Sequence, residues 1–190
     1  MGKIELKPQA ILLPLPAALV SCQADGYHAN IITISWIGIV NSEPPMLSIS
    51  IQPKRFSHAI VKKAGEFVVN VTSEDNLREV DFCGNRSGRE HDKFKEMGLT
   101  AIPARKVKAP LIAECPLNLE CLTRQSLILG THEMFIAEIV AVHIDEDKLT
   151  SDGRLNIDKI KPLAYCPGAR EYRGGYSKML GKYGQLAGKK

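Results

Sequence analysis

Lys54 and Arg55 stand just ahead of Ser57 in the stretch SIQPKRFSHAI, residues 50–60. Ser57 is a good N-cap and Gly65 a good C′ residue, which predicts a short helix over residues 58–64. Lys62 and Lys63 then fall in its last turn, where cations are favoured. Lys54 and Arg55 instead precede the first turn, whose free N–H groups already carry positive partial charge. A phosphate would relieve that crowding, because an Arg fork, a Ser hydroxyl and helix N–H groups could converge on one dianion. The alternative is that both cations simply extend into water.

Hydroxyls lead up to this corner. In NIITISWIG, Thr33 and Ser35 project from one face of a strand while Ile32, Ile34 and Trp36 project from the other; in MLSISIQ, Ser48 and Ser50 share a face. They suit either the wet side of an antiparallel sheet or the polar rim of a planar ligand whose flat body rests on an apolar wall. His132 opens the strand HEMFIAEIVAVHI after LGT, a place where structural histidines are commoner than catalytic ones. The loop GNRSGRE, residues 84–90, has Gly, Ser and Arg suited to a phosphate-binding turn, and also reads as a plain connection between helices. Gly-rich dinucleotide and Walker loops, GxSxG and HExxH are all absent.

Short strands must position these residues. Period-two runs predict strands at 18–23, 30–37, 46–52, 66–71, 117–124 and 132–145. ALVSCQADGYHANIITISW reads as a hairpin about Asp25-Gly26. SEDNLREVDFCG predicts a helix with Ser73 as N-cap and Gly84 as its stop, and EHDKFKEMG a briefer one ending at Gly98. GIVNSEPP and AIPARKVKAPLI read as loops. Many short strands with little helix point to a closed antiparallel barrel. Residues 1–150 form that domain, and residues 151–190, without strong periodicity, an extension that packs on the barrel or on a partner.

The chain has 190 residues, 44% hydrophobic and 24% charged, with a formal net charge of +4. That is an ordinary globular composition with no basic block interleaved with aromatics, so nucleic acid is not an expected partner. The mildly basic end KYGQLAGKK reads as a solvated tail. Five cysteines without CxxC suit reduced thiols in the cytoplasm. Cys115 and Cys121, on one straight strand, would be roughly 20 Å apart and could not share a metal. AILLPLPAALVSC resembles a lipoprotein leader, but Pro14 and Pro16 break its apolar helix and cleavage at Cys22 would remove half the hairpin. No stretch is long and apolar enough to span a membrane.

The segments VSCQADGYHANIITISW, PPMLSISIQPKRFSHAI, GEFVVNV, SGREHDKF, APLIAECPLNLEC and GTHEMFIAEIVAV follow one another over residues 10–145 in an order that resembles the flavin reductase-like family, which includes flavoredoxins. The C-terminal YCPGAREYRGGYSKMLGKYG is similar to the Tyr-rich tails of some members. The resemblance implies an antiparallel Greek-key split β-barrel, mainly β with short helices, that binds FMN and forms a homodimer. It implies that Asn30, Thr33, Ile34, Ser35 and Trp36 line the isoalloxazine and ribityl chain, with Ser48 and Ser50 alongside. Lys54, Arg55 and Ser57 would hold the phosphate. His132 matches the histidine of the family's G-D-H segment, with Thr131 in place of the Asp, and would stand near the flavin ring as the catalytic candidate.

The function implied is an FMN-dependent NAD(P)H oxidoreductase reducing flavin, ferric complexes or another small acceptor, in which the protein supplies binding, stacking and electrostatics and no general base. Backbone N–H groups with Thr33 or Ser35 would tune the flavin. The alternative is a flavoredoxin-like electron carrier that keeps FMN bound and exchanges electrons with protein partners.

Overall fold

The computed structural model describes residues 2–175 and 178–181; the expected basic tail KYGQLAGKK, residues 182–190, lies outside them. Seven antiparallel strands make the main sheet: β1 Ala18–Cys22, β2 Asn30–Ile34, β3 Ile37–Asn41, β4 Met46–Ile51, β5 Glu66–Val71, β6 Leu117–Leu129 and β7 His132–Ile144, in the spatial order β2-β1-β5-β6-β7-β4-β3. This is the split-barrel arrangement expected, a sheet curled on itself rather than fully closed.

The two margins of the sheet, β2 and β3, are consecutive in the chain, joined only by Ser35 and Trp36. The expected hairpin pairs Ala18 with Ile34 and Cys22 with Asn30, and Gly26 takes a φ of +81° in its turn, where a side chain would be strained. Inside the curl pack Val20, Ile32, Ile34, Leu47, Ile49, Phe67 and Phe135, plugged by Ile60 and Val61 of α1, Phe56–Ala64. β1 is buried along its whole length, because Leu19 meets a second core with Ile31, Val80, Cys83 and Ile112 on the outer side.

Four expectations need correction, the first being that AIPARKVKAPLI, expected as a loop, pairs its ends as two short strands, Ala101–Ile102 with Leu111–Ile112. GIVNSEPP is not all loop: its first residues enter β3, an edge strand with four of five residues exposed, so no apolar alternation marks it. α1 begins at Phe56 with Arg55 as its N-cap, in extended conformation and with no side-chain cap bond. Ser57, expected as the cap, is buried within the first turn and accepts a hydrogen bond from Asn30 Nδ2 at 2.8 Å. α2, Leu77–Asn85, runs through Gly84 rather than stopping there.

Gly65 and Gly98 end α1 and α3, Lys93–Met97, as left-handed caps, and Ser73 closes a capping box with Asn76. The chain beyond 150 returns to the barrel. Ile160, Leu163 and Ala164 are buried, and Ala164–Cys166 forms a three-stranded sheet with Leu15–Pro16 and Glu171–Arg173. Among the described residues no helix is long and apolar enough to cross a membrane, and no cluster of His, Cys, Asp or Glu could hold a metal.

Candidate functional site

The residues joining the sheet margins open onto a cavity of about 530 Å³. Thr33, Ile34, Ser35, Trp36, Ser50, Arg55 and His132 border it, so seven of the expected site residues converge there. Ile34 packs its side chain into the barrel core. Thr33 donates its hydroxyl proton to the Val80 carbonyl at 2.5 Å, so its oxygen can accept from a ligand but not donate. Ser35 has no such commitment among the described residues. Trp36, 44% exposed, stacks on His132, with ring centroids 6.2 Å apart and planes within 14°. Thr131 Oγ1 lies 2.9 Å from His132 Nδ1 and fixes the ring's orientation.

A second cavity, about 320 Å³, shares Ile32 and Arg55 with the first and so continues it. Asn30, Lys54, Arg55 and Ser57 border it, together with Arg86, Ser87, Gly88, Arg89 and Lys93. Five cations therefore face one carboxylate, Glu90, beside the start of α1, which has no acidic residue in its first turn. The free N–H groups of that turn add to the same positive field.

Lys93 is 4% exposed and donates to the carbonyls of Ile31 at 2.7 Å and Cys83 at 2.8 Å. Burial holds its ammonium below the ordinary lysine range, against the opposing influence of the neighbouring Cys83 and Cys22. Arg89 donates to the Lys54 carbonyl at 3.2 Å with its guanidinium over the Phe56 ring. Gly88 is required by close approach, since a Cβ there would lie 2.1 Å from Asn30 Oδ1 and 2.8 Å from Phe56 Cδ1.

Asn30 Oδ1 is buried with no hydrogen-bond partner among the described residues. An acceptor left bare costs about 1–3 kcal/mol, so its placement suits a ligand that brings a donor. A phosphate dianion brings none, but a polyol chain attached to a phosphate does. A cavity lined by polar and aromatic side chains, meeting at Arg55 a cationic pocket that also holds a bare acceptor, fits a flavin nucleotide.

Ser48 stands apart from the rest. It borders a third cavity, with Ser35, Trp36, Ser50 and residues 9–12 of the N-terminal segment, rather than the main one. Sequence reasoning missed Lys93 as a ligand-facing cation; Arg86 and Arg89 were signalled only through GNRSGRE, for which a plain connection was the competing reading. It also missed Asp81, Tyr165, Arg170 and Tyr172 in the main cavity.

One buried cluster ties the two ends of the site together. Glu133, next to His132 and 3% exposed, takes hydrogen bonds from His58 at 2.7 Å and Lys62 at 3.1 Å, both on α1, and from Ser126 at 2.9 Å. Burial alone would raise its pKa, but the bonds from Lys62, Ser126 and His58 outweigh it and hold the carboxyl below its ordinary range.

Residues 11–174 match the family model described as flavin reductase like domain. A flavoredoxin of Desulfovibrio vulgaris (Miyazaki F) superposes with a TM-score of 0.92 at 30% identity, covering 98% of this chain and 100% of that one. A flavoredoxin from Methanosarcina acetivorans gives 0.90 at 27% identity, covering 98% of each. An uncharacterized protein of Pyrococcus abyssi is 35% identical over 137 residues, 72% of this chain and 78% of that one. With the curled sheet, the two joined cavities and these likenesses together, the chain belongs to the flavin reductase-like family of split barrels, whose redox chemistry rests on a flavin.

Proposed function

We propose that the protein binds FMN, its phosphate in the cationic cavity and its isoalloxazine beside Trp36 and His132, and works as an NAD(P)H-dependent oxidoreductase toward flavin, ferric or other small acceptors. The observation that carries this reading is Arg55, which borders both cavities and so stands where the larger cavity meets the cationic one.

Bound flavin would supply hydride acceptance and release of electrons singly or in pairs. The chain's part is to bind and orient. Arg55, Lys54, Lys93 and the first turn of α1 neutralise the phosphate, and Ser57 is held for it by Asn30. Asn30 Oδ1 accepts from a ribityl hydroxyl. Ser35 and backbone N–H groups donate to the ring edge, while Thr33 acts only as an acceptor. Trp36 and His132 shield the ring from water and limit how a nicotinamide approaches. Ser50 lines the strand side; Ser48 acts at one remove.

A second reading, a flavoredoxin-like electron carrier, draws on the likeness to the two flavoredoxins. We also read the protein as a homodimer, since Ile39 and Val40 on the edge strand β3 expose apolar side chains, and as cytoplasmic, from its free thiols.

The decisive experiment is to purify the protein, test whether it is yellow, and identify the released chromophore by chromatography. Steady-state oxidation of NADH or NADPH by the loaded protein then separates the readings, since a carrier turns over only when given a partner protein. A colourless protein that takes up no added FMN would defeat both.

A further inference from the structure

The wall of the main cavity that the flavin reading leaves unused comes from the C-terminal arm. Tyr165 pairs with Tyr172 across the two short strands, their rings 5.5 Å apart, and Arg170 stands in the turn between them. All three border the cavity. Arg170 has a φ of 58°, in the left-handed region that residues with a Cβ rarely adopt, and such strain concentrates at ligand sites. Its N–H bonds the Cys166 carbonyl at 3.0 Å, while its guanidinium has no carboxylate partner among the described residues.

Asp81, the carboxylate on the same wall, is already engaged. It accepts from Asn85 Nδ2 at 3.2 Å and from the Tyr172 hydroxyl at 3.4 Å. Burial first, and then the Asp81 charge, push the Tyr172 pKa up to about 12, so the phenol keeps its proton and remains the donor. Of the cavity's two cations, Arg55 reaches the Gly84 carbonyl at 3.4 Å and belongs to the phosphate end. Arg170 is left exposed on the same cavity wall as the two phenols, with no carboxylate partner among the described residues. A cavity wall that offers an aromatic pair and an unpaired guanidinium suits a flat ring that carries a negative group.

We infer that the arm forms a second subsite, beside the flavin, for a planar aromatic anion bearing a carboxylate or sulfonate, and that Arg170 gives it preference over a neutral ring. The placement rests on the flavin reading; the preference rests on the arm's own residues.

The test is calorimetric titration of the flavin-loaded, oxidised protein with naphthalene-2-sulfonate and with the neutral naphthalene-2-sulfonamide, with no turnover involved. Emission of Trp36, the chain's single tryptophan and a residue of this cavity, gives a second readout. The sulfonate should bind about tenfold or more tighter, the range of a charge-assisted bond. Arg170→Gln should abolish that preference while leaving flavin affinity unchanged within about twofold. Arg170→Gly, which relieves the backbone, should do the same and guards against a folding defect. Equal binding of the two probes, a preference that survives in both variants, or variants that shed the flavin would overturn the inference. Failure of the parent protein to take up flavin is seen separately, as absence of bound chromophore, and overturns the cofactor reading and this placement with it.

Discussion

The indole of Trp36 and the imidazole of His132 lie nearly parallel, centroids 6.2 Å apart, so the two-residue link between the sheet margins rests on the first residue of β7. The pair closes one side of the proposed ring site, and among the described residues no carboxylate hydrogen-bonds the histidine.

His132→Ala should therefore loosen Trp36 and weaken FMN by about 0.5–1.5 kcal/mol, the worth of an aromatic pair. Titration of Trp36 emission with FMN measures it. Turnover with a pyridine nucleotide should fall while its pH profile keeps its shape, because the ring positions rather than transfers a proton. A lost limb in the pH profile would make His132 an acid or base.

Arg55→Ala should weaken FMN by roughly 1.5–3 kcal/mol, the range for a hydrogen bond to a charged group. Riboflavin, without the phosphate, should bind almost as before. Equal losses for both ligands would remove Arg55 from the phosphate.

Glu133→Gln should cost about 1–3 kcal/mol at neutral pH, because the buried amide cannot accept all three hydrogen bonds that Lys62, His58 and Ser126 give the carboxylate. The carboxyl's folded pKa lies below the ordinary value of 4.5. Its stabilisation is thus complete above pH 4.5 and is lost as pH falls through the folded value. Urea unfolding between pH 3 and 7 should show a flatter acid limb in the variant than in the parent.

The buried thiols set the alkaline limit. Burial pushes Cys83 up to about 11 and Cys22 and Cys121 up to about 12, from 9.0, with Cys115 higher still. These groups keep their protons when folded and lose them when unfolded. Stability is therefore full below pH 9.0 and falls above it, by about 1.4 kcal/mol per pH unit for each thiol. Cys121→Ala should flatten the slope by one thiol's share in urea titrations between pH 8 and 10.5. Only Cys166, partly exposed, should react promptly with a thiol reagent in the folded protein.

What the residues announced about the fold was local. The Asp25-Gly26 hairpin, the run Glu66–Val71 and the glycine caps at 65 and 98 follow from periods and turn chemistry within a few residues. The strand Ile37–Asn41 was hidden because an edge exposed on both faces has no alternation. Ser57 looked like a cap until Asn30, far back in the chain, supplied its partner. The cationic pair at 54–55 pointed to an anion, yet the buried Lys93 and the Tyr172 wall come from segments brought in only by tertiary packing.

The junction at Ser35 and Trp36 works as a clasp. Because one dipeptide fastens both free borders of the curled sheet, a guest seated against it should stiffen those borders in concert. Amide exchange at Asn30–Ile34 and Ile37–Asn41 should slow together on cofactor uptake, although the two segments do not pair with each other.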